Sequence, residues 1–503
     1  MSIGTVISTP DGPSVSGFSF VINDDGPLVK QGQFVTLKTP EGTMVARVAD
    51  IFKSNRYFQR AESVREYEKS GKKMSEIFPV ERWEYLIGKA KPLAVFSDSL
   101  IQRPCFPPSP GDSVNLAESD ILSKFIGFDQ RKGLNIGKIH FHDVPVKLNL
   151  TRLLQKHLAI LSISGGGKSY LTSVIVEELL DRKPEDGQVA IVLIDTHGEY
   201  IGFAEDEKYR NRVFVVTGRD FKIGVPGLSV SVISHFIPEM THVQERELRR
   251  ILKEAGQRFK GRTYDLTDII GMIAEDEKIK GSTKDILITI LSHLRETGFF
   301  GVSDNPSLDT LAKQGHATII DVSDITSLRK RQMLVSYLGR KLFDARIKNK
   351  ISPFVFIVEE AHNFAPEGVK REAALSKGII EKIAREGRKF NASLCLISQR
   401  PIQLSTTALS QCNTHIILRV TNPYDLDHIG KSSEGLTRDV LDTISSLRVG
   451  EALIVGEAVN YPIFVKVRKR KSKKSERGIP LEEAAVQYHK RKNQKAEDAK
   501  SFM

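Results

Sequence analysis

The chain has 503 residues, 40% hydrophobic and 27% charged, with a formal net charge of +12. That is enough for two to four domains with cores of their own, in an ordinary water-soluble composition. No run of 18 apolar residues, no secretory leader and only three scattered cysteines (Cys105, Cys395, Cys412) argue against a membrane span, export, a disulfide framework and a zinc site, so a soluble intracellular protein is expected.

Residues 1 to about 50 read as short strands, "GTVIST", "GFSFVIN", "GQFVTLKT" and "TMVARVADI", separated by the turn clusters Pro10-Asp11-Gly12, Asp24-Asp25-Gly26 and Pro40-Glu41-Gly42. Even spacing of this kind predicts a small β-barrel or a sandwich. "KPLAVFSD" adds a strand after a charged insertion at about 54–83, and the Pro-rich "RPCFPPSPGD" marks a domain edge. The expected N-terminal β domain is therefore 1–110, followed by a linker over 111–144.

From about 145 the texture changes to apolar runs without alternation: "LAIL", "VAIVLID", "VFVV", "ATIIDV", "FVFIV", "SLCLIS" and "HIILRV". Such runs fit strands buried on both faces, and helical patterns lie between several of them, so the fold class expected is α/β with a mostly parallel sheet. Residues 234–300 contain "QERELRRILKEA" and "TKDILITILSHLRE", helical in period, and read as a helical subdomain splitting the core into 145–233 and 301–465. The tail 466–503 carries 13 Lys/Arg against 5 Asp/Glu. Charge alone leaves it open between a solvated tail and a polyanion contact.

One stretch carries a specific chemistry. In "SISGGGKSY" the last three positions of G-x-x-x-x-G-K-[ST] are Gly167, Lys168 and Ser169, but Ser162 stands where the first glycine is usual. A strand precedes and a helix follows, the context a phosphate loop requires. The ATP-binding stretch expected is Ser164, Gly165, Gly166, Gly167, Lys168, Ser169 and Tyr170. The glycines let backbone N–H groups approach phosphates, Lys168 reaches the β/γ-phosphates, and Ser169 holds Mg²⁺. Ser162 is tolerable there provided its φ stays negative.

The partners this loop needs are present. "FVFIVEEAHNF" is an apolar strand ending in two carboxylates: Glu359 is the expected Mg²⁺ ligand, where Asp is commoner, and Glu360 the general base. Gln399 follows "SLCLIS" and Asp195 ends "VAIVLID", and ligands in open α/β sheets bind at the carboxyl ends of strands. Arg385 and Arg388 in "AREGRKF" are candidates for an arginine supplied in trans.

"HLAILSISGGGKSYLTSVIVEELL", "LIDTHGEY", "VEEAHNFAP", "AREGRKF" and "SQRPIQLSTTALSQCNTHIILRVTNPYD" stand in an order that resembles HerA, the hexameric ATPase of the HerA–FtsK group. The resemblance implies an N-terminal barrel, a RecA-like P-loop core with a helical insertion, and a ring-shaped helicase or translocase on DNA, binding without sequence preference. It further implies ATP and Mg²⁺ as cofactors, a NurA-like nuclease partner in double-strand-break end processing, and a cytoplasmic, nucleoid-associated location. A basic residue precedes the strand histidine in that family, and Lys156 fills the position as a further ATP-site candidate. The basic tail would then brace a neighbouring subunit. Alternative readings are a nucleotide-gated DNA clamp without motor activity and an FtsK- or secretion-type pump. A two-motor helicase does not fit, because Glu360 lies 192 residues after Lys168 and about 140 residues remain beyond it.

Overall fold

The computed structural model describes residues 2–490 except 11, 56–57, 59–60, 70, 72, 78–82, 98–99, 371–372, 434 and 476–480. They fall into two units: residues up to Arg131 with 137–147 and 459–466, and residues 132–136 and 148–458 with those from Val467 onward. Among the described residues no helix is long and apolar enough to cross a membrane.

In the first unit, alternating apolar side chains fold inward as β1 (Ser2–Ile7), β2 (Phe18–Ile22), β3 (Phe34–Thr39), β4 (Gly42–Asn55), β5 (Glu84–Ser97), β6 (Leu100–Gln102) and β7 (Ser113–Leu116). Their order is β2-β1-β7-β3-β4-β5-β6, and a β2–β5 pairing joins the sheet back on itself as a barrel. Ile3, Phe20, Val35, Met44, Val48 and Val114 fill the interior. The segment 111–144, expected as a linker, is folded instead. Its strand β7 closes the gap between β1 and β3, and its helix Ser119–Ile126 buries Leu122, Phe125 and Ile126 and ends at a left-handed Gly127. The four residues of β7, "SVNL", are too short and too polar to announce themselves as a strand. Strands β8 (Leu134–Ile139) and β9 (Pro145–Leu148) follow.

In the second unit, the seven apolar runs are β10 (Leu158–Leu161), β11 (Ala190–Asp195), β12 (Val213–Thr217), β15 (Ala317–Asp321), β16 (Phe354–Val358), β17 (Ala392–Ser398) and β18 (Thr414–Ile417). With β19 (Glu451–Gly456) they run in the order β12-β15-β11-β16-β17-β10-β18-β19. Every pairing is parallel except β18–β19. Strands β10, β11, β16 and β17 are buried along their whole length, as the absence of alternation requires. The helical insertion leaves after β13 (Ile223–Gly224) and returns at β14 (Phe300–Gly301), which pair with each other and pinch its base. Its helices His242–Arg258 and Leu266–Glu275 each begin with a capping box, Thr241 with Gln244 and Asp265 with Asp268, and a third spans Gly281–Glu296.

Candidate active site

The parallel strands bring the carboxyl ends of β10, β11, β16 and β17 to one edge of the sheet, where a cavity of about 430 Å³ opens. Ser164, Gly165, Gly167, Lys168, Ser169, Tyr170, Glu359, Glu360 and Gln399 line it, together with His197 and Glu199. The sequence pointed to the first nine, and the fold brings them together.

The loop after β10 shows how Ser162 replaces glycine. Its φ stays negative and its side chain is fully buried, with the hydroxyl donating to the Ile163 carbonyl at 3.1 Å. Gly165 and Gly167 adopt φ of 72° and 97°, which only glycine reaches at little cost. Gly166 is constrained differently: a Cβ there would overlap the Ser162 hydroxyl oxygen. Serine at the first position and glycine at 166 are thus a matched pair. The helix Lys168–Leu180 follows, and buried Lys168 donates from Nζ to the Ile163 carbonyl at 3.2 Å.

Glu359, just past β16, is buried. It accepts from Ser169 Oγ at 3.3 Å, Thr196 N at 3.1 Å, Thr196 Oγ1 at 3.0 Å and Tyr200 Oη at 3.3 Å. Burial first, then the charges of Asp195 and Glu199, push its pKa up to about 8. Glu360 has a left-handed backbone, φ 48°, uncommon for a residue with a side chain. Burial pulls its pKa up, but His197, Lys168 and His362 outweigh that and hold it below the ordinary carboxylate value. His197, whose own pKa is raised chiefly by Glu360, completes the set.

Four predicted side chains stand elsewhere. Asp195 is fully buried and does not line the cavity. Its carboxylate accepts from four backbone N–H groups, of His197, Gly198, Glu199 and Tyr200, at 2.7–3.2 Å. It therefore caps the loop that carries Thr196, His197 and Tyr200. Lys156 precedes β10 at the opposite edge and pairs with Glu457 at 2.9 Å. A four-residue strand spans about 13 Å, so Lys156 cannot reach the cavity of its own chain. Arg385 and Arg388, both exposed, lie before β17 at that same opposite edge. His157 Nε2, 2.9 Å from the Ala384 carbonyl, ties β10 to the Arg385 helix.

The start of the basic tail is not free either. Arg468 pairs with fully buried Glu177 and with Glu178, each at 2.7 Å. Glu177 also accepts from Lys471 N, Ser472 N and Ser472 Oγ at 2.7–2.8 Å. Arg470 N donates to Tyr170 Oη at 2.7 Å, and a Cβ on Gly202 would stand 2.5 Å from the Lys473 carbonyl. Residues 468–473 thus form a strap over the loop helix, with much of their charge neutralised inside the same chain.

Residues 134–342 match the family model described as the central domain of the helicase HerA. The DNA double-strand break repair helicase HerA of Saccharolobus solfataricus is 30% identical over 403 residues, covering 76% of this chain and 77% of its own. The chain belongs to the HerA family. Its counterpart of the same description in Pyrococcus furiosus is 28% identical over 535 residues, covering 92% of each chain. Among solved structures, VirB4 of Thermoanaerobacter pseudethanolicus aligns over 68% of this chain and 98% of its own, with a TM-score of 0.53 and 16% identity, a likeness of fold alone. This HerA-family chain is a P-loop ATPase of the helicase class. Family motifs quoted from its sequence already contained the residues that strand-end reasoning passed over: Thr196, His197, Glu199 and Tyr200 lie in "LIDTHGEY" and His362 in "VEEAHNF". Their signal was a run of polar side chains directly after a buried strand.

Proposed function

We propose that this chain is an ATP-driven DNA translocase or helicase that closes into a hexameric ring and processes double-stranded DNA ends with a NurA-like nuclease. The observation that carries the reading is a single cavity lined by the phosphate loop, two carboxylates of unlike environment and Gln399. Loop amides and Lys168 hold the phosphates of ATP. Ser169 and Glu359, a hydroxyl and a carboxylate already 3.3 Å apart, form the hard-oxygen pair that suits Mg²⁺. Bound there, Mg²⁺ would neutralise phosphate charge. Glu360, held ionised, orients water and takes its proton as the water oxygen bonds to the γ-phosphorus and the bond to ADP breaks. Gln399 reports the phosphate's state to DNA-facing loops.

Arg385 and Arg388 lie outside their own cavity, which fits delivery to the next subunit's nucleotide across a head-to-tail interface. DNA is gripped by its phosphates, so binding is sequence-tolerant and weakens with salt. The test is steady-state ATP hydrolysis with and without double-stranded DNA ends, for the wild type and Glu360→Gln. Stimulated turnover that disappears in the variant with ATP binding retained is expected. Persistent turnover in Glu360→Gln would move the general base elsewhere, and a rate indifferent to DNA at every salt concentration would remove the motor.

A further inference from the structure

Each oxygen of Glu360 faces a different histidine. Oε1 stands 3.8 Å from His197 Nε2, and Oε2 stands 3.4 Å from His362 Nδ1. The histidines arrive from separate elements. His197 follows β11 in the loop that Asp195 caps, and its own backbone N–H is one of the four donated. His362 sits in the short helical turn after β16 and is buried.

Two features show that Glu360 needs such support. Its left-handed backbone fixes where the side chain starts, but nothing in that conformation fixes where the carboxylate ends. Its Oε2 is also buried and makes no hydrogen bond, a costly state that a donor at His362 Nδ1 would relieve on a small closure. Hydrogen bonds at catalytic groups are commonly long before substrate arrives and tighten in the reacting complex. The same Nδ1 lies 3.1 Å from Ser398 Oγ, which accepts from Arg400 N at 3.0 Å, so with the proton on Nδ1 a single N–H is shared between Ser398 and Glu360, and the closure shifts it toward the carboxylate. The turn that carries Gln399 is therefore the turn that sets His362.

We propose that His362 and His197 are positioning residues that clamp the Glu360 carboxylate from its two sides, His362 through Nδ1 and His197 through Nε2. The clamp aims the oxygen that takes the proton of water, and it links that aim to the Ser398–Arg400 turn beside Gln399. This inference rests on the reading of Glu360 as general base.

The two nitrogens make a test that a merely structural role would not pass. An asparagine amide nitrogen falls near the place of Nδ1 and a glutamine amide nitrogen near that of Nε2. His362→Asn is expected to keep kcat within about threefold, whereas His362→Gln and His362→Ala lower it about 10- to 100-fold with KM for ATP nearly unchanged. At the other side the pattern inverts: His197→Gln keeps activity and His197→Asn loses it. In the Glu360→Gln background none of these changes alters the residual rate further. Equal behaviour of Asn and Gln at both positions, or the same fold-loss with and without Glu360, would overturn the clamp. His197 is half exposed, so its pair of variants decides the matter even where a His362 variant fails to fold. Failure of the underlying reading looks different, because Glu360→Gln alone would then still turn over ATP.

Discussion

Gly166→Ala would put a methyl group onto the Ser162 hydroxyl oxygen, 3.2 Å from the Ile163 carbonyl and 3.4 Å from Ser162 Cβ. Ser162 is fully buried and its hydroxyl is bonded within the loop, so it has little room to yield. Overpacking of this kind costs about 1–3 kcal/mol. If the loop deforms to absorb it, ATP affinity falls about 5- to 150-fold, at about 1.4 kcal/mol per tenfold. Ser162→Gly alone removes a hydroxyl shared between the Ile163 and Arg419 carbonyls, worth about 0.5–1.5 kcal/mol, and leaves space behind. The double variant should therefore bind ATP better than Gly166→Ala alone, with a coupling of about 0.5–3 kcal/mol. Binding of a fluorescent ATP analogue to the four proteins, with thermal unfolding as a control, measures the cycle. Additive losses, or a harmless Gly166→Ala, would refute the pairing of the two positions.

Glu359 titrates near 8 in the folded chain against an ordinary 4.5, so its contribution to stability is fully present below about pH 4.5 and is lost as pH rises toward 8. Denaturation of the nucleotide-free protein should accordingly find Glu359→Gln gaining on the wild type as pH rises from 5 to 8, and parallel profiles would contradict this. Arg468→Ala leaves fully buried Glu177 without its cation and should cost about 3–5 kcal/mol in urea unfolding. Arg468→Met combined with Glu177→Leu should recover much of that loss, and an Arg468→Ala as stable as the wild type would mean the strap is not held by this pair. Lys168→Ala and the double variant Arg385→Ala, Arg388→Ala should each abolish turnover, but mixed rings should regain activity at about a quarter of their interfaces, where an intact loop meets intact arginines. No recovery after subunit exchange, verified by labelling, would confine the arginines to their own subunit.

Most β-strands of the core were legible because they are buried on both faces, and a short β-branched and aromatic run such as "FVFIV" fits that environment. The phosphate loop was legible because its chemistry depends on local backbone, with Gly165 and Gly167 in conformations that side chains resist. Strand β7 was not, because its register depends on β1 and β3, more than seventy residues away. The strap was missed for a related reason. A basic run reads as solvated until Glu177 and Glu178 on a distant helix are seen beneath it.

Asp195 and Lys156 show a finer limit. Both belong to motifs that mark this site, yet position along a strand decides which edge of the sheet a residue serves, and side-chain bonding decides whether it faces the ligand at all. Asp195 ends β11 at the correct edge but spends its carboxylate on four backbone N–H groups of the loop whose Thr196 and Tyr200 bond Glu359 and whose His197 faces Glu360. Lys156 precedes β10 at the wrong edge for its own phosphate loop, and Arg385 and Arg388 precede β17 at that same edge. Strand β17 alone spans about 23 Å. A nucleotide in one cavity can meet these cations only if they come from another copy of the chain. The parallel sheet, by sending the carboxyl ends one way and the amino ends the other, gives the chain a pocket on one edge and the cations proposed to act in trans on the other.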